Sequence, residues 1–510
     1  MTIDRSAVTR RSVLAGLFAT AAAPTLANAP SRSPVPPARP AGVPALTDLA
    51  TRAARPAQPT GSLVDLLERS GLSGETAVIA LDAETGAVIE EHRADLRLPP
   101  ASTAKALTTM YALHTLGAEH RFVTRVELSG GTIRNGTLTG DLILRGGGDP
   151  TLQTEGLARL ADAVIQQGLR RVEGRFLVDE TALPAIAAID PDQPVSAGYN
   201  PALSGLNLNF NRVYFGWEVQ GREARLSMDA RSDREVPPVS VIDIRAAQRD
   251  LPVYTHDIRG GREHWTVAAS ALGRTGSRWL PVRQPGVYAA DVFRALLAAR
   301  GCHLPQARHS TAPQGTVLAE VRSAPLTSVL REMLRFSTNI TAECVGLSSS
   351  MRQGVRPRNL HLSAESMNAW LADRYGAAGL ALVDHSGLEE GSRLAPRAMA
   401  TYLLAAGREG ILPTLLREHP MRSEDGQVLQ SPPVAVHAKT GTLNFVSALA
   451  GYAQPRGGRA MVFSIISADM AARRRIRDDD SERPTGTRAW TGRARALQQD
   501  LIERWAGLHG

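Results

Sequence analysis

Strand-forming segments stand at the two ends of this 510-residue chain, and that placement constrains the fold more than any other feature. Thr76-Ala77-Val78-Ile79-Ala80-Leu81 reads as a strand, Ala83-Glu84-Thr85-Gly86 as a turn, and Ala87-Val88-Ile89 as the returning strand. Far downstream, Val434–Thr440, Val446–Tyr452 and Ala460–Ile466 read as three more strands joined by short turns. Two N-terminal strands and three C-terminal ones make a five-stranded antiparallel sheet with helices on both faces. One helix is expected from Ser102 to Leu116, with Gly117 as its stop. Another closes the chain, where Leu497, Leu501 and Trp505 recur every four residues.

The middle of the chain has a different texture. From Phe122 to about Pro285 it carries short strands, glycine turns such as Gly146-Gly147-Gly148-Asp149-Pro150, and one helix from Glu155 to Gln167. Helical periodicity returns at Val287–Arg300 and Leu326–Arg335. The expected class is therefore α/β (α+β): a discontinuous domain of residues 61–124 and 295–510, interrupted by a β-rich insertion of one or two small domains at 125–294.

Residues 1–29 read as a secretory signal, with a basic start, a short apolar stretch and the small-residue site Ala27-Asn28-Ala29. Thr9-Arg10-Arg11-Ser12-Val13-Leu14 fits a twin-arginine signal, or an ordinary signal that carries two adjacent arginines. Cleavage after Ala27 or Ala29 leaves a mature protein outside the bacterial cytoplasm, in the periplasm. Residues 30–60, rich in proline and alanine, read as a linker. No apolar run is long enough for an integral membrane span. The net charge of +8 is spread along the chain with acidic residues among it, which argues against nucleic acid as a partner. Cys302 and Cys344 are the only cysteines, too few for a disulfide scaffold, and either pair or stay separate. Neither H-E-x-x-H nor G-x-x-x-x-G-K-[ST] occurs, so no metal and no cofactor is expected.

Of the chain's 58 lysines and arginines, only Lys105 and Lys439 are lysines. A chain that writes nearly every cation as arginine keeps lysine where arginine fails, because a buried lysine can become a neutral amine and act as a base. Lys105 follows Ser102 by three residues at a helix start, one turn away on the same face. This is a nucleophile beside a base, at a helix end that favours a developing oxyanion. Lys439-Thr440-Gly441-Thr442 ends a strand. There the ammonium and hydroxyl can hold a substrate carboxylate, the glycine admits close approach, and the Thr442 N–H can complete an oxyanion hole. Ser337-Thr338-Asn339 lies in the break between two helices, where it either delivers a hydroxyl and an amide to a cleft or caps a helix.

Each motif alone is weak. Together, in this order, S-x-x-K, S-x-N and K-T-G are the set of the serine penicillin-binding proteins and class A β-lactamases. The chain resembles the penicillin-binding protein 4 type of D-alanyl-D-alanine carboxypeptidase/endopeptidase, peptidase family S13, over roughly residues 61–510. The long stretch between residues 102 and 337, against the shorter one from 337 to 439, matches that branch, as do Gly146–Leu152, Ala342-Glu343 and Asp384-His385-Ser386-Gly387-Leu388. Three departures leave the preferred substrate side chain open: His385 where the family often has glycine, Ile340 where it often has asparagine, and Glu424-Asp425-Gly426 in place of its Gly-Thr-Leu.

The resemblance implies a penicillin-binding, β-lactamase-like catalytic domain acting on peptidoglycan stem peptides, with β-lactams as covalent inhibitors. Neutral Lys105 takes the proton of Ser102, which attacks the penultimate D-alanine, and the N–H groups of Ser102 and Thr442 hold the oxyanion. Ser337, supported by Lys439, returns a proton to the leaving amine. Asn339 holds the substrate backbone, and Lys439 and Thr440 bind its carboxylate. Asp149 either holds the stem's free amino group or is a turn aspartate before proline. Two rivals remain: a β-lactamase or esterase on the same fold, separated by turnover of the drug, and a non-catalytic cell-wall binding protein, whose binding would survive Ser102→Ala.

Overall fold

The structure, a computed structural model, describes residues 61–221, 223–311, 314–423, 425–476 and 484–509. The expected signal segment and linker, with their cleavage sites, lie outside the described residues. The chain enters through helix α1 (Leu63–Arg69), where Ser62 and Asp65 cap each other's backbone N–H groups. Strands β1 (Glu75–Asp82) and β2 (Val88–His92) follow as a hairpin.

A 3-10 turn, Ala101–Thr103, then leads into α2 (Ala104–Leu116). The regular helix starts at Ala104 and not at the expected Ser102. Ala101 holds φ at 47°, in the left-handed region that no α-helical residue occupies, so the chain must turn tightly before the helix begins.

A second body intervenes. Its sheet is built from β3 (Val123–Ser129), β4 (Asp141–Arg145) and, after helix α3 (Thr154–Gln166), β5 (Phe176–Asp179). Two three-stranded sheets stand between β5 and helix α4 (Pro285–Ala299). Strands β6 (Ala307–His309) and β7 (Thr316–Arg322) then complete the order β6-β5-β4-β3-β7. Leu157, Leu160, Ala161 and Val164 of α3 share one core with Phe293, Leu296 and Leu297 of α4 and Phe176 of β5. Ala319 of β7 belongs to the same core. We therefore place the return to the first domain at α5 (Leu326–Phe336), later than the expected residue 295, because α4, β6 and β7 pack on or pair with the second body.

After α5 come α6 (Asn339–Arg352), α7 (Leu360–Tyr375) and α8 (Pro396–Arg408). The chain then supplies β8 (Arg417–Glu418), β9 (Val434–Leu443), β10 (Val446–Pro455) and β11 (Met461–Ala468), and ends in α9 (Thr487–His509). The main sheet runs β8-β9-β10-β11-β1-β2 and is antiparallel throughout. It holds the five expected strands plus β8, a two-residue edge too short to leave a periodic signal. Strand β11 is buried along its whole length because both faces are covered. Val462 and Ile466 face the core of α2, α5 and α8, while Phe463 and Ile465 face Leu497, Leu501 and Trp505 of α9. Truncating Trp505 to alanine would cost about 3–5 kcal/mol.

Cys302 lies in the second body's core and Cys344 in a separate cluster on α6, and both are free and buried. Among the described residues no helix is long and apolar enough to cross a membrane, and no group of three or more His, Cys, Asp or Glu side chains could hold a metal ion.

Candidate active site

The site forms where the 3-10 turn before α2, the α5–α6 junction and β9 meet. Lysine and arginine are almost never fully buried without partners. Yet Lys105 is 0% and Lys439 2% exposed, while Ser102, Ser337 and Asn339 are half-buried.

The Lys105 ammonium nitrogen has three neighbours. It lies 2.9 Å from Ser102 Oγ, 2.7 Å from Asn339 Oδ1 and 2.8 Å from the Ser386 carbonyl oxygen. The last two are pure acceptors. They engage two N–H groups whatever the charge on the amine, so the third position faces the serine hydroxyl. In the neutral amine that third position is the lone pair, aimed at Ser102 Oγ. Burial pushes the Lys105 pKa below the ordinary lysine value, and the charges of Asp384 and Glu343 oppose it.

Lys439 forms the second pair. Its Nζ donates to Ser337 Oγ at 2.9 Å and to the Thr440 carbonyl at 2.7 Å. Burial holds its pKa well below the usual value, and the charges of Lys105 and Arg417 push the same way. Ser337 sits at the end of α5 with φ at 58°, a left-handed conformation costly for a side-chain-bearing residue, and Asn339 opens α6 two positions later. The helix break between them thus delivers a hydroxyl to Lys439 and an amide to Lys105. The Asn339 amide also donates to the Tyr199 carbonyl at 3.0 Å, which brings the second body to the site.

Backbone contacts close the assembly. A Cβ on Gly441 would stand 2.7 Å from the Pro100 carbonyl oxygen and 3.1 Å from the Ser102 nitrogen. Thr440 beside it is half-buried and Thr442 exposed. Gly387, at φ 73°, is pressed against the Ala101 carbonyl in the same way.

Asp149 behaves differently. It is buried, and its carboxylate accepts from the Thr151 N–H at 2.8 Å and hydroxyl at 2.7 Å, while burial raises its pKa to about 6. Both bonds go to Oδ1 and fit a turn aspartate.

His385 is a packing residue. Its ring stacks on Tyr111 with centroids 6.4 Å apart, and its Nε2 shares a hydrogen bond with Ser363 at 2.8 Å. Burial lowers its pKa to about 3. Gly346 leaves the room that the imidazole fills.

Three contributors have no role in the sequence reading: the carbonyls of Tyr199 and Ser386, and the buried carboxylate of Glu343. A backbone carbonyl leaves no mark in a residue pattern. Glu343 does leave one, since it follows Asn339 by four residues and so shares its helix face.

The profile of the D-Ala-D-Ala carboxypeptidase 3 (S13) family matches residues 60–483. Carboxypeptidase Rv3627c of Mycobacterium tuberculosis is 30% identical over 461 residues, 86% of either chain. The D-alanyl-D-alanine carboxypeptidase of an Actinomadura species is 27% identical over 438 residues, 79% of either chain. The crystal structure of penicillin binding protein 4 from Haemophilus influenzae superimposes with a TM-score of 0.69 at 23% identity, covering 87% of this chain and 100% of that one. That protein has also been solved in complex with a β-lactam.

Proposed function

We propose, from the premise that this chain belongs to the D-Ala-D-Ala carboxypeptidase 3 (S13) family and is a serine-type carboxypeptidase, that Ser102 is its acylated nucleophile and Lys105 the base that activates it. The observation that carries the assignment is the arrangement at Lys105 Nζ, where two obligate acceptors leave the third position to Ser102 Oγ.

The Ser102 proton passes to Lys105 as Oγ bonds to the carbonyl carbon of the penultimate D-alanine. The N–H groups of Ser102 and Thr442 receive the oxyanion. Ser337, polarised by Lys439, donates a proton to the amine as the C–N bond breaks, and D-alanine departs. Water then hydrolyses the Ser102 ester. Lys439 and Thr440 bind the terminal carboxylate, Gly441 admits the substrate to the strand edge, and Asn339 holds its backbone. Asp149 serves this scheme as a turn residue, its Oδ1 accepting from the Thr151 N–H and hydroxyl. The same step at the D-centre of a cross-link is endopeptidase cleavage, and the second body, reaching Asn339 through Tyr199, forms a wall for a longer peptide. β-Lactams acylate the same serine. The enzyme works in the periplasm on peptidoglycan stem peptides, with residues 1–29 as its export signal.

Intact mass after incubation with benzylpenicillin tests this reading. Wild type gains one adduct of the drug's mass and Ser102→Ala gains none. Drug consumption without an adduct would move the assignment to a β-lactamase, and neither adduct nor consumption would leave a binding protein. Digestion of purified muropeptides then reports trimming against cross-link cleavage.

A further inference from the structure

Beneath the catalytic lysine lies a buried carboxylate with no part in the scheme above. Glu343 is 0% exposed. Its two oxygens accept from consecutive backbone groups, the His385 N–H at 3.0 Å and the Ser386 N–H at 2.9 Å. Both belong to a tight turn that Asp384 also knits together, accepting from the N–H groups of Gly387, Leu388 and Glu389 and from the hydroxyls of Ser386 and Ser392. Asp384 organises the turn from within, whereas Glu343 ties it to α6. The turn in turn serves Lys105, whose amine donates to the Ser386 carbonyl. Asn339, one helical turn before Glu343, takes a second Lys105 N–H directly. One face of α6 thus controls both acceptors that orient the amine.

We infer that Glu343 is a positioning residue of the reaction: by clamping the His385 and Ser386 N–H groups it fixes the Ser386 carbonyl, which orients the Lys105 lone pair toward Ser102. The inference rests on the assignment of Lys105 as the base. The charges that bear on Lys105 are those of Asp384 and Glu343, which favour its protonated form, while the charge of Lys105 in turn lowers the pKa of Lys439. His385, in the same turn, is held neutral by burial. Burial and Asp384 raise the pKa of Glu343, while its two N–H bonds and Lys105 act against them.

The test is the second-order acylation rate with a fluorescent penicillin, measured across pH on folded protein, for wild type, Glu343→Gln and Glu343→Asp. Glutamine keeps the shape but presents an NH2 to one of the two backbone N–H groups and so breaks half of the clamp. Acylation should fall roughly 10²-fold, the loss expected of a small misplacement at a reacting centre. Its ascending pH limb should move to lower pH, because a Ser386 carbonyl no longer held against the amine stabilises protonated Lys105 less. Aspartate falls short of the same clamp, so its rate should fall and its limb should move in the same direction. Wild-type rates for both variants across the pH range would overturn the inference. So would a slowed Gln variant whose limb stays at the wild-type position, the signature of a merely structural residue. If wild type itself forms no adduct, the proposed function fails and not the clamp. Thermal unfolding of each variant, and titration of its acylable fraction, separate misfolding from misplacement.

Discussion

The nitrogen of Ser102 would lie 3.1 Å from a Cβ on Gly441, so strand β9 and the turn that carries Ser102 meet backbone against backbone. The same Cβ would stand 3.0 Å from that of Ala101. No flexible side-chain end is available to give way, so Gly441→Ala must push the strand from Ser102. We predict that Gly441→Ala slows acylation by benzylpenicillin roughly 10²-fold. Gly441 is buried, so thermal stability should fall as well, and acylation is compared on folded protein. Wild-type acylation in this variant would show that the two backbones need not touch during the reaction.

In the proposed scheme Lys439 serves the reaction at a cost to the fold. Burial depresses its pKa, whereas in the unfolded chain it titrates near the ordinary value of about 10.4. Between its native pKa and that value the unfolded state binds more protons, so this residue's contribution to stability rises with pH. Lys439→Met should therefore melt above wild type near neutrality, with an advantage that shrinks as pH climbs toward about 10.4. Acylation should drop at least 10²-fold, because Ser337 loses its polarising partner. A melting difference that does not change with pH would mean that Lys439 is charged in the native state.

His385 and Gly346 form a coupled pair. The imidazole fills the space that a side chain at 346 would need. Gly346→Ala should destabilise by about 1–3 kcal/mol through overpacking, and pairing it with His385→Gly should recover part of that loss, as measured by chemical denaturation. The pair also predicts acid sensitivity. With a native pKa of about 3 against about 6.5 unfolded, the neutral ring contributes its full stability above about pH 6.5. That contribution is lost at up to about 1.4 kcal/mol per pH unit as pH falls toward 3. His385→Gly should flatten this slope.

The sequence carried the ends of the fold better than its middle. Strands β1, β2, β9, β10 and β11 were readable because each is an apolar run bounded by turn residues. The return from the second body was not, since α4 has the same helical periodicity whichever core it packs on, and only pairing of β6 and β7 decides. At the site, Ser102, Lys105, Ser337, Asn339 and Lys439 were visible as residue types at fixed spacing, and the hydrogen bonds join them as a triplet, Ser102–Lys105–Asn339, and a pair, Ser337–Lys439. The Ser386 and Tyr199 carbonyls were invisible, because every residue has one and only tertiary placement makes it an acceptor for Lys105 or Asn339. Ala101, the strained residue before Ser102, reads in sequence as an ordinary helix former.

Asn339 gives a prediction opposite in sign to that for Glu343. Its Oδ1 accepts from Lys105 at 2.7 Å and its Nδ2 donates to the Tyr199 carbonyl at 3.0 Å. Asn339→Asp keeps the first acceptor, adds a negative charge beside the amine, and sets an oxygen against the Tyr199 carbonyl. The charge favours the protonated form of Lys105, so a higher pH is needed to free the base. An opposite charge at this range moves a pKa by roughly 1–3 units, and each unit is tenfold in the fraction of neutral amine. Acylation at pH 7 should therefore fall at least tenfold and recover as pH is raised, with the ascending limb displaced upward. The second-order acylation rate between pH 6 and pH 10 checks it. An unmoved limb with a uniformly lower rate would mean that Lys105 is not the group whose deprotonation limits acylation.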